Sequence, residues 1–308
     1  MKNKYILGAG ISGLIFNHYN PEYKIISPDI GGQLKKHKNV LITFYVHNHE
    51  LTRNLLDELK IKYKEKRLRI YYNYYGKILE NLTTKQRAKF IKNKLTEYDY
   101  DSNSITLNNL NLSTANNHLD ILITDINKLI EKLTPKTFID AEVKLVNNNR
   151  KFMLTYDSEK KLNKLNYYKL ASTIPAKVFF PLMYNYKCDY NFNYLPATFV
   201  LSKTKPDFME DESMYYICDD KIIYNRVQPY ADGYVYEITG IPSDEEIHRQ
   251  IPDVLEIEKR YVGIIKDDPV NDFKNIKFIG RLACWDSNIK IQQVIEKAIK
   301  QNGKNTKK

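Results

Sequence analysis

Cysteine is scarce in this chain. Only Cys188, Cys218 and Cys284 occur in 308 residues, an odd number set far apart. They build neither a CxxC metal knuckle nor a disulfide framework, which fits a reducing, cytoplasmic compartment. No apolar run approaches the roughly 20 residues that a membrane-spanning helix needs, and a mean hydropathy of −0.53 argues against a polytopic membrane protein. GxSxG is absent, as is any convincing Ser/His/Asp order, so a hydrolase is excluded. Internal repeats, a Pro/Gly-rich linker and a recognisable nucleic-acid module are also missing. With a single Trp, the aromatic content rests on 25 Tyr and 12 Phe. Tyr packs, stacks and hydrogen-bonds, so this bias has physical consequences whatever its origin.

What remains is a chain long enough for about two domains. Its 43% hydrophobic content excludes a disordered polymer. The net charge of +11 has two readings: a surface for nucleic acid or an anionic substrate, or solvated lysines. Basic and acidic residues alternate in stretches such as Lys60 to Arg69, and Lys300 to Lys308 reads as a tail. Solvated lysines are therefore the preferred reading, and a nucleic-acid partner is the less favoured one.

The first residues, MKNKYILGAGISGLIF, set two lysines before an apolar run. A signal peptide would require a small-residue cleavage site, yet Asn17, His18, Tyr19 and Asn20 follow. Gly8, Gly10 and Gly13 stand in the pattern GxGxxG, between a short apolar strand at Tyr5 to Leu7 and a helix beginning near Ile11. This is the strand, tight turn and helix of a dinucleotide site. Gly8 permits the turn, Gly10 lets backbone approach a pyrophosphate, and Gly13 lets helix and strand pack closely. The helix start, at Ile11 and Ser12, offers unpaired N–H groups to the phosphates.

A second strand, Tyr23 to Ile26, runs into Ser27-Pro28-Asp29-Ile30-Gly31-Gly32-Gln33. Dinucleotide folds put an acidic residue near this point to hold the ribose. Here Ser27 occupies the position and Asp29 comes slightly late. Gly31 and Gly32 predict a second close approach of backbone to an extended cofactor.

LGAGISGL followed by IISPDIGGQL resembles the N-terminal FAD fingerprint of the amine oxidase, protoporphyrinogen oxidase and UDP-galactopyranose mutase flavoprotein superfamily. Three later segments are similar to it in the same order: LITFYVHNHEL (Leu41 to Leu51), ASTIPAKVFF (Ala171 to Phe180) and FIGRLACWDSNIKIQQVI (Phe278 to Ile295). The resemblance implies an α/β fold with a Rossmann-like FAD-binding domain of the glutathione-reductase type, interleaved with a smaller α+β substrate domain. It implies an FAD domain from residues 1–45, 119–176 and 272–308, and a substrate domain from 46–118 and 177–271. It implies cofactor contacts from Gly8, Gly10, Ile11, Ser12, Gly13, Ser27, Gly31, Gly32 and Gln33 at one end. Val143 would meet the adenine, and Thr173, Gly280, Arg281, Trp285, Ile291 and Gln292 would lie along the remainder.

Between these segments, Leu51 to Lys94 is rich in helical spacing, with Leu51, Leu55, Leu56 and Leu59 on one face. Leu119 to Leu133 fits an amphipathic helix, and Ile289 to Ile299 shows helical apolar spacing with Ile291, Val294, Ile295 and Ala298 on one stripe. Residues 177–269 alternate apolar and polar residues as a strand-rich substrate sheet. Tyr224 and Arg226 stand two apart on one strand and are expected to face the same side, as an aromatic wall beside an anion anchor, unless Arg226 pairs with Glu237. His47 and His49 also share a period of two. No further ligands accompany them at metal spacing, so His47 reads as a flavin-side or packing residue. The expected activity is that of an FAD-dependent oxidoreductase on a small molecule, transferring hydride from a C–N or C–C bond. Two alternatives stand beside it: a mutase-like, non-redox flavoenzyme on a sugar nucleotide, with Arg226 and Arg281 at a diphosphate, and a flavoprotein acting on nucleotides or nucleic acid.

Overall fold

The computed structural model describes residues 2–32, 45–86, 89, 118–190, 192, 194–210, 212–230, 233–264 and 268–303. The chain opens with β1 (Lys4–Ala9), α1 (Ile11–Tyr19) and β2 (Lys24–Ile30), then β3 (Tyr45–His47), α2 (Glu50–Glu58), β4 (Tyr63–Tyr74) and β5 (Lys77–Leu79). Next come β6 (His118–Thr124), α3 (Ile126–Leu133), the strands β7 (Ala141–Asn147), β8 (Phe152–Asp157) and β9 (Leu162–Asn166), then β10 (Lys169–Ser172) and α4 (Ala176–Phe179). The later part contributes β11 (Tyr194–Ser202), β12 (Met214–Ile217), β13 (Tyr224–Tyr230), β14 (Gly233–Thr239), α5 (Asp244–Gln250) and β15 (Val254–Ile264). It ends in β16 (Ile276–Phe278), α6 (Arg281–Cys284) and α7 (Ile291–Gln301).

Three sheets result among the described residues. The first is parallel, in the order β16-β10-β1-β2, and joins three separated stretches of sequence. One face packs on α1 and α7 through Leu14, Ile15, Phe16, Val294, Ile295 and Ala298, the last three belonging to the apolar stripe expected for the C-terminal helix, whose Ile291 packs at the edge of this core. The clamp is reinforced where buried Asn20, at the end of α1, donates to the carbonyls of Phe16 and Ala298, each at 3.0 Å. The other face meets the β7-β8-β9 meander and an aromatic cluster around Phe179, Phe278 and Trp285. Burial on both faces explains why β1 reads as a nearly continuous apolar run.

The nine-stranded sheet has the order β15-β11-β14-β13-β12-β4-β6-β3, with β5 paired on β4. One face is a core of Tyr215, Val227, Tyr236, Val200 and Ile247. Tyrosine packs on both faces, with Tyr71 on Tyr215 in this core and Tyr72 stacked on Tyr216 on the opposite face, at centroid distances of 5.3 and 5.7 Å.

Two expectations are corrected here. Leu119 to Leu133 is a strand followed by a helix, because the β-branched and Leu residues at 119–123 alternate faces against β4 and β3. Asp125 then caps α3 by accepting the Lys128 N–H at 3.1 Å. Helix after Leu51 is interrupted beyond α2, where residues 63–74 form a twelve-residue strand, and it returns at residues 84–86 and 89. Its YKEKRLRIYYNY sequence is rich in Tyr with interleaved charges, which suits a pleated surface better than a helix. Residues 87, 88 and 90–94 of that predicted segment, and Leu41 to Phe44 of another, lie outside the described residues. No helix among the described residues is long and apolar enough to cross a membrane.

Candidate functional site

The glycine turn at the end of β1 gathers three distant segments. A Cβ placed on Gly8, whose φ is +95°, would come within 2.9 Å of Thr173 Oγ1 and 2.8 Å of Ile174. One on Gly13 would lie 2.2 Å from the Gly8 carbonyl oxygen and 2.9 Å from the same Thr173 hydroxyl. Gly32 lies against Gly10, and a Cβ on Gly280, φ +93°, would lie 2.4 Å from Ser12 Oγ. Thr173 locks the junction: its backbone N–H donates to the Leu7 carbonyl at 2.9 Å, and its hydroxyl reaches the carbonyls of Leu7 and Gly8 at 2.8 and 3.0 Å. Strand register sets this up, because β1 and β10 are parallel neighbours that end together, Leu7 opposite Ser172.

Gly10 is the exception among these crowded glycines. A Cβ there would meet nothing within 4 Å. Gly10 is also the N-cap of α1, with no side-chain cap and no acidic residue in the first turn. The open space therefore lies over N–H groups that lack intrahelical partners and over the positive end of the helix, which suits a phosphate. The residues present fit the diphosphate of a dinucleotide: backbone donors where charge is needed, and a missing side chain where access is needed.

The remaining predicted residues divide clearly. Ser27, 8% exposed, spends its hydroxyl on the Asp29 carbonyl at 2.6 Å, so it braces its own turn. Val143 is half-buried beside a bulge in β7. Arg281 opens α6 directly after Gly280. Ile291 and Gln292 open α7, and the buried Gln292 Oε1 has no hydrogen-bond partner among the described residues. Trp285 is fully buried, its ring against those of Phe192 and Tyr194 with both centroids at 5.0 Å. Gln33 lies outside the described residues.

His47 ends β3, which packs against α7. Burial, and then the charge of Lys290 at the α7 N-cap, hold its imidazole below the ordinary histidine pKa. Lys290, which sequence reasoning missed, donates to the Ser287 carbonyl at 2.8 Å. A lysine heading a helix opposes the dipole, and that was the one local signal available. His49 has a different job, capping α2 by accepting the Leu51 N–H at 3.2 Å.

The sign of the His47 shift carries a prediction. The unfolded chain takes up the proton first, near pH 6.5, and the folded protein does so only at lower pH. The contribution of neutral His47 to stability is full above about pH 6.5 and is lost as pH falls towards the folded pKa. Thermal midpoints measured from pH 7.5 to 5 should fall more steeply in the natural protein than in His47→Gln. Parallel curves for the two proteins would contradict this.

Tyr224 and Arg226 do not share a face, contrary to expectation. A bulge between them pairs Tyr224 with Ile238 but Arg226 with Glu237, which turns the two side chains to opposite sides. Tyr224 is buried edge-on against Tyr236 at 4.9 Å, and burial, with the charge of Asp207, pushes its phenol up to about 12. Arg226 is ion-paired with Glu237 on the opposite face. That face continues in register to Tyr216, Tyr72, Phe199 and Glu258.

No family model and no curated protein matches the chain. Solved structures do. Reduced UDP-galactopyranose mutase aligns with a TM-score of 0.62 at 9% identity, covering 99% of this chain and 96% of that one. Putrescine oxidase bound to putrescine aligns at 0.60 and 11% identity, covering 98% and 99%. An oxidoreductase from Methanosarcina mazei aligns at 0.61 and 10% identity, covering 97% and 99%. Over nearly its whole length the chain has the fold of these proteins, the one that its glycine motifs resembled.

Proposed function

We propose that the protein is an FAD-dependent oxidoreductase of the amine oxidase-like type, acting on a small molecule. One observation carries the reading: Gly8, Gly10, Gly13, Gly32, Thr173 and Gly280, drawn from four parts of the chain, close around a single uncapped helix N-terminus with open space over Gly10 alone. Bound FAD would supply the hydride acceptor for a substrate C–N or C–C bond. The N–H groups of Ile11, Ser12 and Gly13 would hold the diphosphate. Cofactors in such sheets cross the carboxyl ends of the strands. One half would therefore run towards β2, and the other over β10 and β16 towards α6 and α7. There the α7 N-terminus and Lys290 contribute positive potential, while His47 remains neutral near pH 7.

Hydride transfer is preferred to mutase-like chemistry because one of the two arginines expected at a diphosphate, Arg226, is already paired with Glu237. The nucleic-acid reading is weakened by dispersal of the lysines into ion pairs such as Lys4 with Glu22, Lys144 with Glu142 and Lys259 with Asp244. Purified protein should be yellow, with a flavin absorption spectrum that amines bleach anaerobically. Turnover of a sugar nucleotide only after dithionite reduction would move the assignment to the mutase branch. A colourless protein that takes up no FAD would overturn the reading altogether.

A further inference from the structure

We infer that Asp140, immediately before β7, supplies the carboxylate that the Ser27 position of β2 lacks as the anchor for the cofactor ribose, with Tyr156 as the neighbouring wall for adenine. This rests on the FAD reading above. A dinucleotide sheet normally holds the ribose hydroxyls with an acidic side chain at the end of its second strand. In this chain the position is Ser27, and its hydroxyl is committed to the Asp29 carbonyl.

The chain entering β7 runs parallel to β2 at this point. Ser27 N–H donates to the Ile139 carbonyl at 3.1 Å, and Ile139 N–H donates to the Ile25 carbonyl at 2.8 Å. Ile139 is bridged to Ile26 in parallel register, so the next residue, Asp140, draws level with Ser27. One strand spacing, about 5 Å, separates the two backbones. The replacement carboxylate thus sits beside the position it replaces.

An open depression of about 560 Å³ adjoins this point, lined in part by Pro28, Asp140, Glu142, Lys144 and Tyr156. Its size is in the range of small-molecule sites. Most of its charged groups are occupied: Lys144 pairs with Glu142 at 2.6 Å, and Asp157 accepts from Asn163 at 2.9 Å and from the N–H groups of its own turn. Asp140 is exposed and has no hydrogen bond or ion pair among the described residues. A carboxylate accepts two hydroxyls at once, which matches the vicinal diol of a ribose. Tyr156, 38% exposed, offers an aromatic ring to the adenine.

The test uses full-length protein stripped of flavin and titrated with FAD, ADP, 2′-deoxy-ADP and FMN, following flavin fluorescence and heat. Asp140→Asn should weaken FAD and ADP by about 10- to 100-fold while leaving FMN unchanged. The variant should also lose the natural protein's preference for ADP over 2′-deoxy-ADP. Tyr156→Ala should weaken FAD and ADP several-fold. If the natural protein binds FAD and Asp140→Asn stays within twofold for FAD and ADP, this inference is wrong and the flavin reading stands. The same holds if Asp29→Asn, made in parallel, takes the loss instead. Natural protein that binds neither FAD nor ADP overturns both.

Discussion

Gly10→Val is expected to produce a folded protein without flavin. The backbone at Gly10, φ −69° and ψ 174°, is open to any L-residue, and a Cβ there meets no atom within 4 Å. Replacing it should change stability by less than about 1 kcal/mol, as at other sites free of packing. The valine methyls would instead occupy the space over the α1 N-terminus, where a phosphate must come within hydrogen-bond reach of backbone N–H groups. Excluding it should weaken FAD by about 100-fold or more, equivalent to about 3 kcal/mol. The thermal midpoint and the ratio of flavin to protein absorbance, measured on one preparation, separate the two effects. Normal flavin content in a normally folded variant would show that the phosphate binds elsewhere.

Gly13→Ala should do the reverse and damage the fold itself. Helix propensity alone predicts a gain of up to about 1 kcal/mol, because Ala is the best helix former and Gly among the worst. Sterics oppose it with more force. The new Cβ would sit 2.2 Å from the Gly8 carbonyl oxygen and 3.2 Å from its carbon, both backbone atoms of the turn, and 2.9 Å from Thr173 Oγ1. The two Gly8 atoms are backbone and the Thr173 hydroxyl is held by the Leu7 and Gly8 carbonyls, so α1 must move away from β1. That movement strains the fully buried Leu14, Ile15 and Phe16 against α7. Overpacking of this kind costs about 3 kcal/mol or more, out of a typical total of about 5 to 15. Urea unfolding should give a sharply lowered midpoint, or the variant should be recovered only as aggregate. A midpoint equal to that of the natural protein would mean that helix and strand are less tightly apposed than described.

The two glycines stand three residues apart in one motif, yet their substitutions separate binding from folding. Gly10 faces open space, whereas Gly13 faces backbone.

Legibility in the sequence followed the range of the interactions. The turn of Gly8, Gly10 and Gly13 was readable because a tight turn, a close approach and a helix start are all satisfied within six residues. The stripe of Val294, Ile295 and Ala298 was readable because one helix faces one core. Elsewhere, short apolar runs fit either period. Leu119 to Ile123 counted as helix until its pairing with β4 and β3 determined otherwise. The bulge that parts Tyr224 from Arg226 leaves no mark in IIYNRVQPY, because it arises from how β13 meets β14.

By itself, then, the sequence determined the strand-turn-helix at its start, the helix near its end and the fold class that their resemblance implied. Each depends on spacing between near neighbours. Only the tertiary structure decided that Thr173, Gly32 and Gly280 close on that turn, that Arg226 is held by Glu237, and that Asp140 stands level with Ser27. Those contacts join residues up to about 270 positions apart. Those at the glycine turn exist because parallel strands from separate stretches end at one edge of one sheet, and the Arg226 pair exists because a bulge sets the register of β13 on antiparallel β14, conditions that strand pairing sets and local pattern does not.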